Sequence, residues 1–309
     1  MLRVAVDGDV PRLYPIARPL APALRAGLAG PGPVVILIHG YKFAPGVVGH
    51  DPHQQIFSTA PERGGTTDSW PRQLGFGEAA GSGLCIAFGW PARGWFRDVY
   101  ARAAGASRAL AQLVRAIRDF DAHRPIHVVA HSLGARVCLG ALTALRPHDL
   151  GRIILLSGAE YCAPARAAMA TPAGRTAEIF NITSRENDLY ELMFESVIGP
   201  HRWGDRGIGV GLGEEFGNWV DVQIDHVDVR RVLSRYGAAL PGPRRRMCHW
   251  STYQRRGAMA FYSDLLRRPG AIPLDALRRA LPPQERRFRQ VLRPPRIPRP
   301  LPLGQKRPS

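Results

Sequence analysis

Between Ile126 and Ala135 the chain passes from an apolar run to a helical pattern with no loop in between. The residues are Ile126-His127-Val128-Val129-Ala130, then His131-Ser132-Leu133-Gly134-Ala135. The β-branched run reads as a buried strand, and Leu133 to Leu145 as a helix that stops before Pro147. Only a sharp turn can join the two, and Ser132 stands on it. Such a turn strains the serine backbone and lifts its Oγ above the end of the strand. Strand and helix pass close together there, so the positions two before and two after the serine must be small. Ala130 and Gly134 meet that need. The spacing small-x-Ser-x-Gly is common by chance; the flanking strand and helix give it weight.

A second motif agrees. Val34-Val35-Ile36-Leu37-Ile38 is wholly apolar and runs into His39-Gly40-Tyr41-Lys42. Acyl transfer through a serine needs two backbone N–H donors aimed at the developing oxyanion. One belongs to the residue after the nucleophile, here Leu133. The other comes from a loop after an earlier strand, and Tyr41 N–H is the candidate. His39-Gly40 also reads as the plain end of a buried strand, but the serine turn downstream favours the functional reading.

With these two motifs the chain resembles the α/β-hydrolase superfamily, from about Val34 to about Leu266. Phe88-Gly89-Trp90-Pro91-Ala92-Arg93-Gly94, Tyr100 and Ala130-His131-Ser132-Leu133-Gly134 are similar to a group of uncharacterised bacterial serine hydrolases. That group has a His-Gly-Tyr loop and a Trp-Pro after the next strand. The resemblance implies a mostly parallel sheet with helices on both faces and no cofactor. It does not name a substrate.

The remaining strands read as Leu84–Phe88, Arg152–Ser157 and Ala177–Thr183, with a long helix between the first two whose cap is Asp98. Strands alternating with helices imply an α/β fold with the catalytic loops on one sheet edge. A hydrolase domain over residues 34–281 is expected. It follows an N-terminal segment at 1–33 and holds an irregular, glycine-rich excursion at 194–243, a candidate lid. Residues 43–82 form a long connection with a short helix near Trp70–Leu74. Gly207-Ile208-Gly209-Val210-Gly211 lacks the strand and the Lys-Ser/Thr partner of a phosphate loop.

In this fold the order along the chain is serine, acid, histidine. The acid is expected after Thr183, in Ser184-Arg185-Glu186-Asn187-Asp188. Asp188 is the choice, with Glu186 and Glu191 less favoured and Glu160 the rival from the preceding strand. Asp188 could equally cap a helix beginning at Leu189. The base is expected beyond the last strand, where His249 in Cys248-His249-Trp250 is chosen over His226. His39 and His131 shape the site instead. His50, Asp51 and His53 are close in sequence but lack a fourth ligand, so no metal site is expected.

The net charge of +17 is unevenly placed. Residues 244–309 hold 17 Lys and Arg against 3 Asp and Glu, and eight prolines fall after residue 281. Residues 282–309 are therefore expected to be a disordered tail, able to touch acidic surfaces such as membranes or nucleic acid. Four scattered cysteines without CxxC spacing read as buried thiols, and a cytoplasmic location as the default. The expected reaction is hydrolysis of a small acyl substrate, most simply a carboxylic ester, by Ser132, His249 and Asp188. The alternatives are a non-catalytic binding scaffold of the same fold, or an interaction protein tethered by its tail. No specific protein partner is implied.

Overall fold

The computed structural model describes residues 1–16, 18–59, 69–77 and 83–288. The apolar runs are strands of one sheet: β1 (Leu2–Asp7), β2 (Val10–Leu13), β3 (Val34–Ile38), β4 (Leu84–Gly89), β5 (Ile126–His131), β6 (Arg152–Leu156), β7 (Glu178–Thr183) and β8 (Trp219–Gln223). Their order across the sheet is β2-β1-β4-β3-β5-β6-β7-β8, and all pairs are parallel except β1 with β2. The helices are α1 (Leu20–Gly27), α2 (Trp70–Gln73), α3 (Phe96–Phe120), α4 (Gly134–Ala141), α5 (Cys162–Met169), α6 (Asp188–Ile198), α7 (Val227–Ser234), α8 (Ser251–Gln254), α9 (Ala258–Arg267) and α10 (Leu274–Ala280).

Every residue of β3, β4 and β5 is buried because both faces of the sheet are covered. Val34, Ile36 and Ile38 point into a core shared with α1, α3, α4 and α5. Val35 and Leu37 point the other way, into a core shared with α2, α7, α9 and α10. The period-two alternation of a strand thus serves two hydrophobic layers at once.

β3 pairs with β4 on one side and β5 on the other, with Ile38 opposite both Phe88 and Ala130. The chain therefore changes direction across the sheet at β3. A crevice opens beyond the carboxyl ends of strands at such a point. His39-Gly40 leaves β3 and His131-Ser132 ends β5 at that crevice.

Three expectations need correction. The first 33 residues are not separate from the domain: Leu2–Asp7 and Val10–Leu13 are strands of the sheet, because Val4 and Val6 alternate inward and the tight turn at Gly8 (φ 63°) returns the chain as β2. Residues 194–243 are not an irregular excursion throughout: they hold the end of α6, the edge strand β8 and α7. Residues 282–288 are docked on the domain. Glu285 N donates to Gln223 Oε1 at 2.7 Å, Phe288 N donates to Asp188, and Arg287 pairs with Glu191 and Glu195. Buried carboxylates need a counter-ion, and that need outweighs the proline-rich composition. Residues 289–309 lie outside the described residues, as do 60–68 and 78–82 of the long connection. A smaller difference is at Asp98, which sits in the first turn of α3 behind Trp95 and does not cap it.

Candidate active site

Ser132 has φ of 54°, the left-handed backbone expected of a serine on this turn. Its N–H donates to Leu156 O at 3.0 Å and its carbonyl accepts from Ala159 N at 2.9 Å, so β6 pins the turn from below. Two glycines let the neighbouring chain come this close. A Cβ on Gly134 would lie 2.8 Å from Ile38 O, and one on Gly40 would lie 2.6 Å from Ser132 Cβ. The small residues of both motifs are therefore explained by one contact, that of the β3 loop against the serine turn.

His39 and Trp90 tie that loop to the end of β4. Trp90 N donates to His39 Nε2 at 3.0 Å, and Trp90 Nε1 donates to His39 O at 2.9 Å. His39 Nδ1 then carries the proton and donates to Gly40 O at 2.8 Å. Burial pushes the His39 pKa down to about 3, so it stays neutral and structural. Lys42 N donates to Ala92 O at 2.9 Å, which fixes the far side of the loop. Among the described residues neither Tyr41 N–H nor Leu133 N–H donates to any acceptor.

His249 is held from three directions. Cys248 N donates to Glu186 O at 2.8 Å, His131 Nε2 lies 3.2 Å from His249 O, and Ser157 Oγ lies 3.1 Å from Thr252 Oγ1. Glu186 itself is paired with Arg255. The His249 ring rests 4.6 Å, centre to centre, from that of His131, the residue before Ser132, and Tyr190 stacks on it at 5.0 Å. Ser132 Oγ makes no hydrogen bond among the described residues.

The partner of the His249 ring is Asn187. Its Oδ1 lies 2.6 Å from His249 Nδ1. Asn187 Nδ2 donates to Glu191 Oε1 at 3.1 Å, and Glu191 Oε2 accepts from Arg287 Nη2 at 2.8 Å. The chain of donors sets the tautomer. A carboxylate only accepts, so the amide NH2 faces Glu191 and the amide oxygen faces the ring. His249 Nδ1 must then carry the proton, which leaves Nε2 as the basic nitrogen. Burial, then the neighbouring His131 and Lys42, holds the His249 pKa well below its ordinary value, so the ring is neutral at pH 7.

Asp188, chosen from sequence, faces away from this chain of contacts. It lies 3.2 Å from Arg185 and accepts from Phe288 N. Burial raises its pKa to about 6 against the pull of Arg185. It is the first residue of α6 and does not cap it. Glu160 binds Arg136 of α4 at 2.6 Å and Tyr100 OH of α3 at 2.7 Å. His226 caps α7, its Nδ1 accepting from Asp228 N at 3.0 Å. Asp51 is committed to Tyr14 OH and His53 N. Among the described residues no cluster has a metal-binding arrangement.

Asn187 and Arg287 were not foreseen, and Glu191 only as a lesser candidate. The visible signal was the spacing of four between Asn187 and Glu191, which puts both on one helix face. The glycine run has its explanation here too: a Cβ on Gly209 would overlap the Glu191 carboxylate at 1.7 Å. Of the aromatics near the motifs, Trp90 and Tyr161 are core, whereas Tyr41, Trp95 and Phe96, together with Val197, line a surface cavity beside the β3 loop.

Residues 31–155 match a protein family described as "Alpha/beta hydrolase of unknown function (DUF900)". That span carries both the His39-Gly40 loop and the Ser132 turn. No curated protein matches the chain.

Proposed function

The chain carries an α/β-hydrolase domain, and from that premise we propose that it is a serine hydrolase that cleaves a carboxylic ester or related acyl bond. The observation that supports this best is a serine at φ 54° whose preceding residue, His131, lies 4.6 Å ring to ring from a neutral histidine with its protonated nitrogen fixed by Asn187. In this reading Ser132 Oγ attacks the carbonyl carbon and its proton passes to His249 Nε2. The Tyr41 and Leu133 amides hold the oxyanion. His249 then gives the proton to the leaving alkoxide, and water, activated by the same ring, releases the acyl group.

Asn187 takes the place where such sites commonly have an acid. An amide can orient the imidazole but brings no charge to stabilise its cation. Glu191, one hydrogen bond further out, fixes which way the amide points, while its own charge is met by Arg287. The absence of a Ser132–His249 hydrogen bond is compatible with this reading, since such contacts often tighten only when substrate binds. It is also what a non-catalytic scaffold would show.

Labelling by a fluorophosphonate probe separates the two. The intact chain is expected to label, and Ser132→Ala and His249→Ala to lose the label. A folded wild-type chain that stays unlabelled would overturn the enzyme reading and leave the scaffold.

A further inference from the structure

α6 is inverted relative to an ordinary surface helix. Its inward residues are Asp188, Glu191, Phe194 and Glu195, and their carboxylates are met by Arg185, Arg287 and Arg206. Its outward residues are Leu189, Leu192, Met193 and Val197, which are between 36% and 55% exposed. Spacings of three and four place these four on one face. The arginines compensate the two buried carboxylates, Asp188 and Glu191, and the half-buried Glu195, but four apolar side chains left in water on the opposite face are unfavourable unless that face is not always in water.

The surroundings of that face indicate what covers it. Val197 shares a cavity with Tyr41 and Trp95, and Arg97 Nε donates to Val197 O at 2.8 Å. Trp95 is 84% exposed, and Trp203, on the turn after α6, is fully exposed. At the other end Tyr190 and Trp250 stand beside His249. Exposed Lys42, Arg93, Arg97 and Arg202 lie within two residues of Tyr41, Trp95 and Trp203 in the chain. Apolar side chains edged by tryptophan and then by arginine match a bilayer surface, where indole sits at headgroup depth and cations meet anionic lipid.

We propose that the outer face of α6, with Trp95 and Trp203, docks the protein on an anionic lipid surface, and that the ester it cleaves is a lipid drawn from that surface. The choice of substrate rests on the serine hydrolase reading; the docking does not. The cavity that holds Val197 and Trp95 is also lined by Tyr41, the residue whose amide is assigned to the oxyanion, so the docking face and the β3 loop share one depression.

The test is co-sedimentation of the full chain with phosphatidylglycerol vesicles and with phosphatidylcholine vesicles. Wild type and Ser132→Ala are expected to bind phosphatidylglycerol equally and phosphatidylcholine more weakly. The double variant Leu192→Gln, Met193→Gln should bind about tenfold more weakly at unchanged net charge and unchanged Tm. The proposal is overturned if wild type does not bind, or if the double variant binds as well as wild type at the same Tm. It is equally overturned if sedimentation equilibrium shows a dimer that the double variant abolishes, since the face would then serve a second copy. Vesicle binding by a chain that cleaves no ester would keep the docking and sink the hydrolase reading. Cleavage of soluble esters without vesicle binding would do the reverse.

Discussion

At the scale of single residues, the unusual member of the site is Asn187. Asn187→Ala removes the group that orients His249, and kcat is expected to fall about a hundredfold or more. Asn187→Asp alone would place a second carboxylate against Glu191, at the 3.1 Å contact now made by the amide, so one of the two must take up a proton or move. The double change Asn187→Asp, Glu191→Gln avoids this, because the glutamine amide can donate to the new carboxylate. Kinetics of the two singles and the double should therefore be non-additive, with the double the most active of the three. The pH profile gives an independent check. Burial and two neighbouring groups lower the His249 pKa, so the acid limb of kcat/KM should lie well below pH 6.5. In the double variant a carboxylate touches the ring and favours its cation, so that limb should move to higher pH. An acid limb near pH 7 in the wild type would contradict the assignment of His249 as base.

At the scale of elements, α6 and the segment after α10 depend on each other. Arg287 Nη2 reaches Glu191 at 2.8 Å and Nη1 reaches Glu195 at 3.0 Å, with the guanidinium almost wholly buried. Arg287→Ala leaves these carboxylates without their cation, and removing one partner of a buried pair costs about 3–5 kcal/mol. Chemical unfolding of Arg287→Ala should show that loss, and a chain ending at residue 281 should lose at least as much. This dependence was hidden in the sequence. Pro282-Pro283 and the arginines after them fit a solvated tail by composition, and composition does not say which arginine finds a buried partner. The central strands were legible because each is a continuous apolar run that can be satisfied only between two helical layers. The serine turn and the β3 loop were legible because their glycines answer to steric contacts of 2.6–2.8 Å that no larger residue allows. His249 is suggested by its position after the last strand, and its ring lies 4.6 Å from that of His131. The identity of its partner is not suggested in this way, since Asn187 and Asp188 are adjacent and only the start of α6 decides which one faces the ring. β8 is hard to read because Trp219–Gln223 is short and follows a glycine-rich stretch, and β1 because only the two residues Gly8-Asp9 mark its return as β2.

At the scale of the whole molecule, the buried imidazoles set how the fold responds to acid. Burial lowers the pKa of His39 to about 3, and those of His53, His127 and His131 to about 4. His39 and His127 also accept backbone N–H groups, from Trp90 and Arg152, and protonation would break both bonds. In the unfolded chain each ring takes up a proton near pH 6.5, whereas in the folded chain it does not until well below that. Their contribution to stability is thus complete above about pH 6.5 and is lost as the pH falls toward 4. Asp188 acts in the opposite sense. With its pKa raised to about 6, the folded chain takes up that proton first; Glu191 and Asp221, whose pKa values burial also raises, act with it, whereas His249 adds a fifth ring to the four. The rings outnumber these carboxylates, so the unfolded chain takes up more protons than the folded one and stability falls as the pH drops below about 6.5. Set against a typical stability of about 5–15 kcal/mol, this predicts acid unfolding well before the ordinary carboxylates titrate. Urea unfolding followed from about pH 7 to about pH 5 should show this fall. His127→Asn retains an acceptor for Arg152 N and removes one titrating ring, so its slope should be shallower by about one proton. Equal slopes in the two proteins, or a stability that is flat until the carboxylate range, would show that these rings are protonated alike in the folded and unfolded chains.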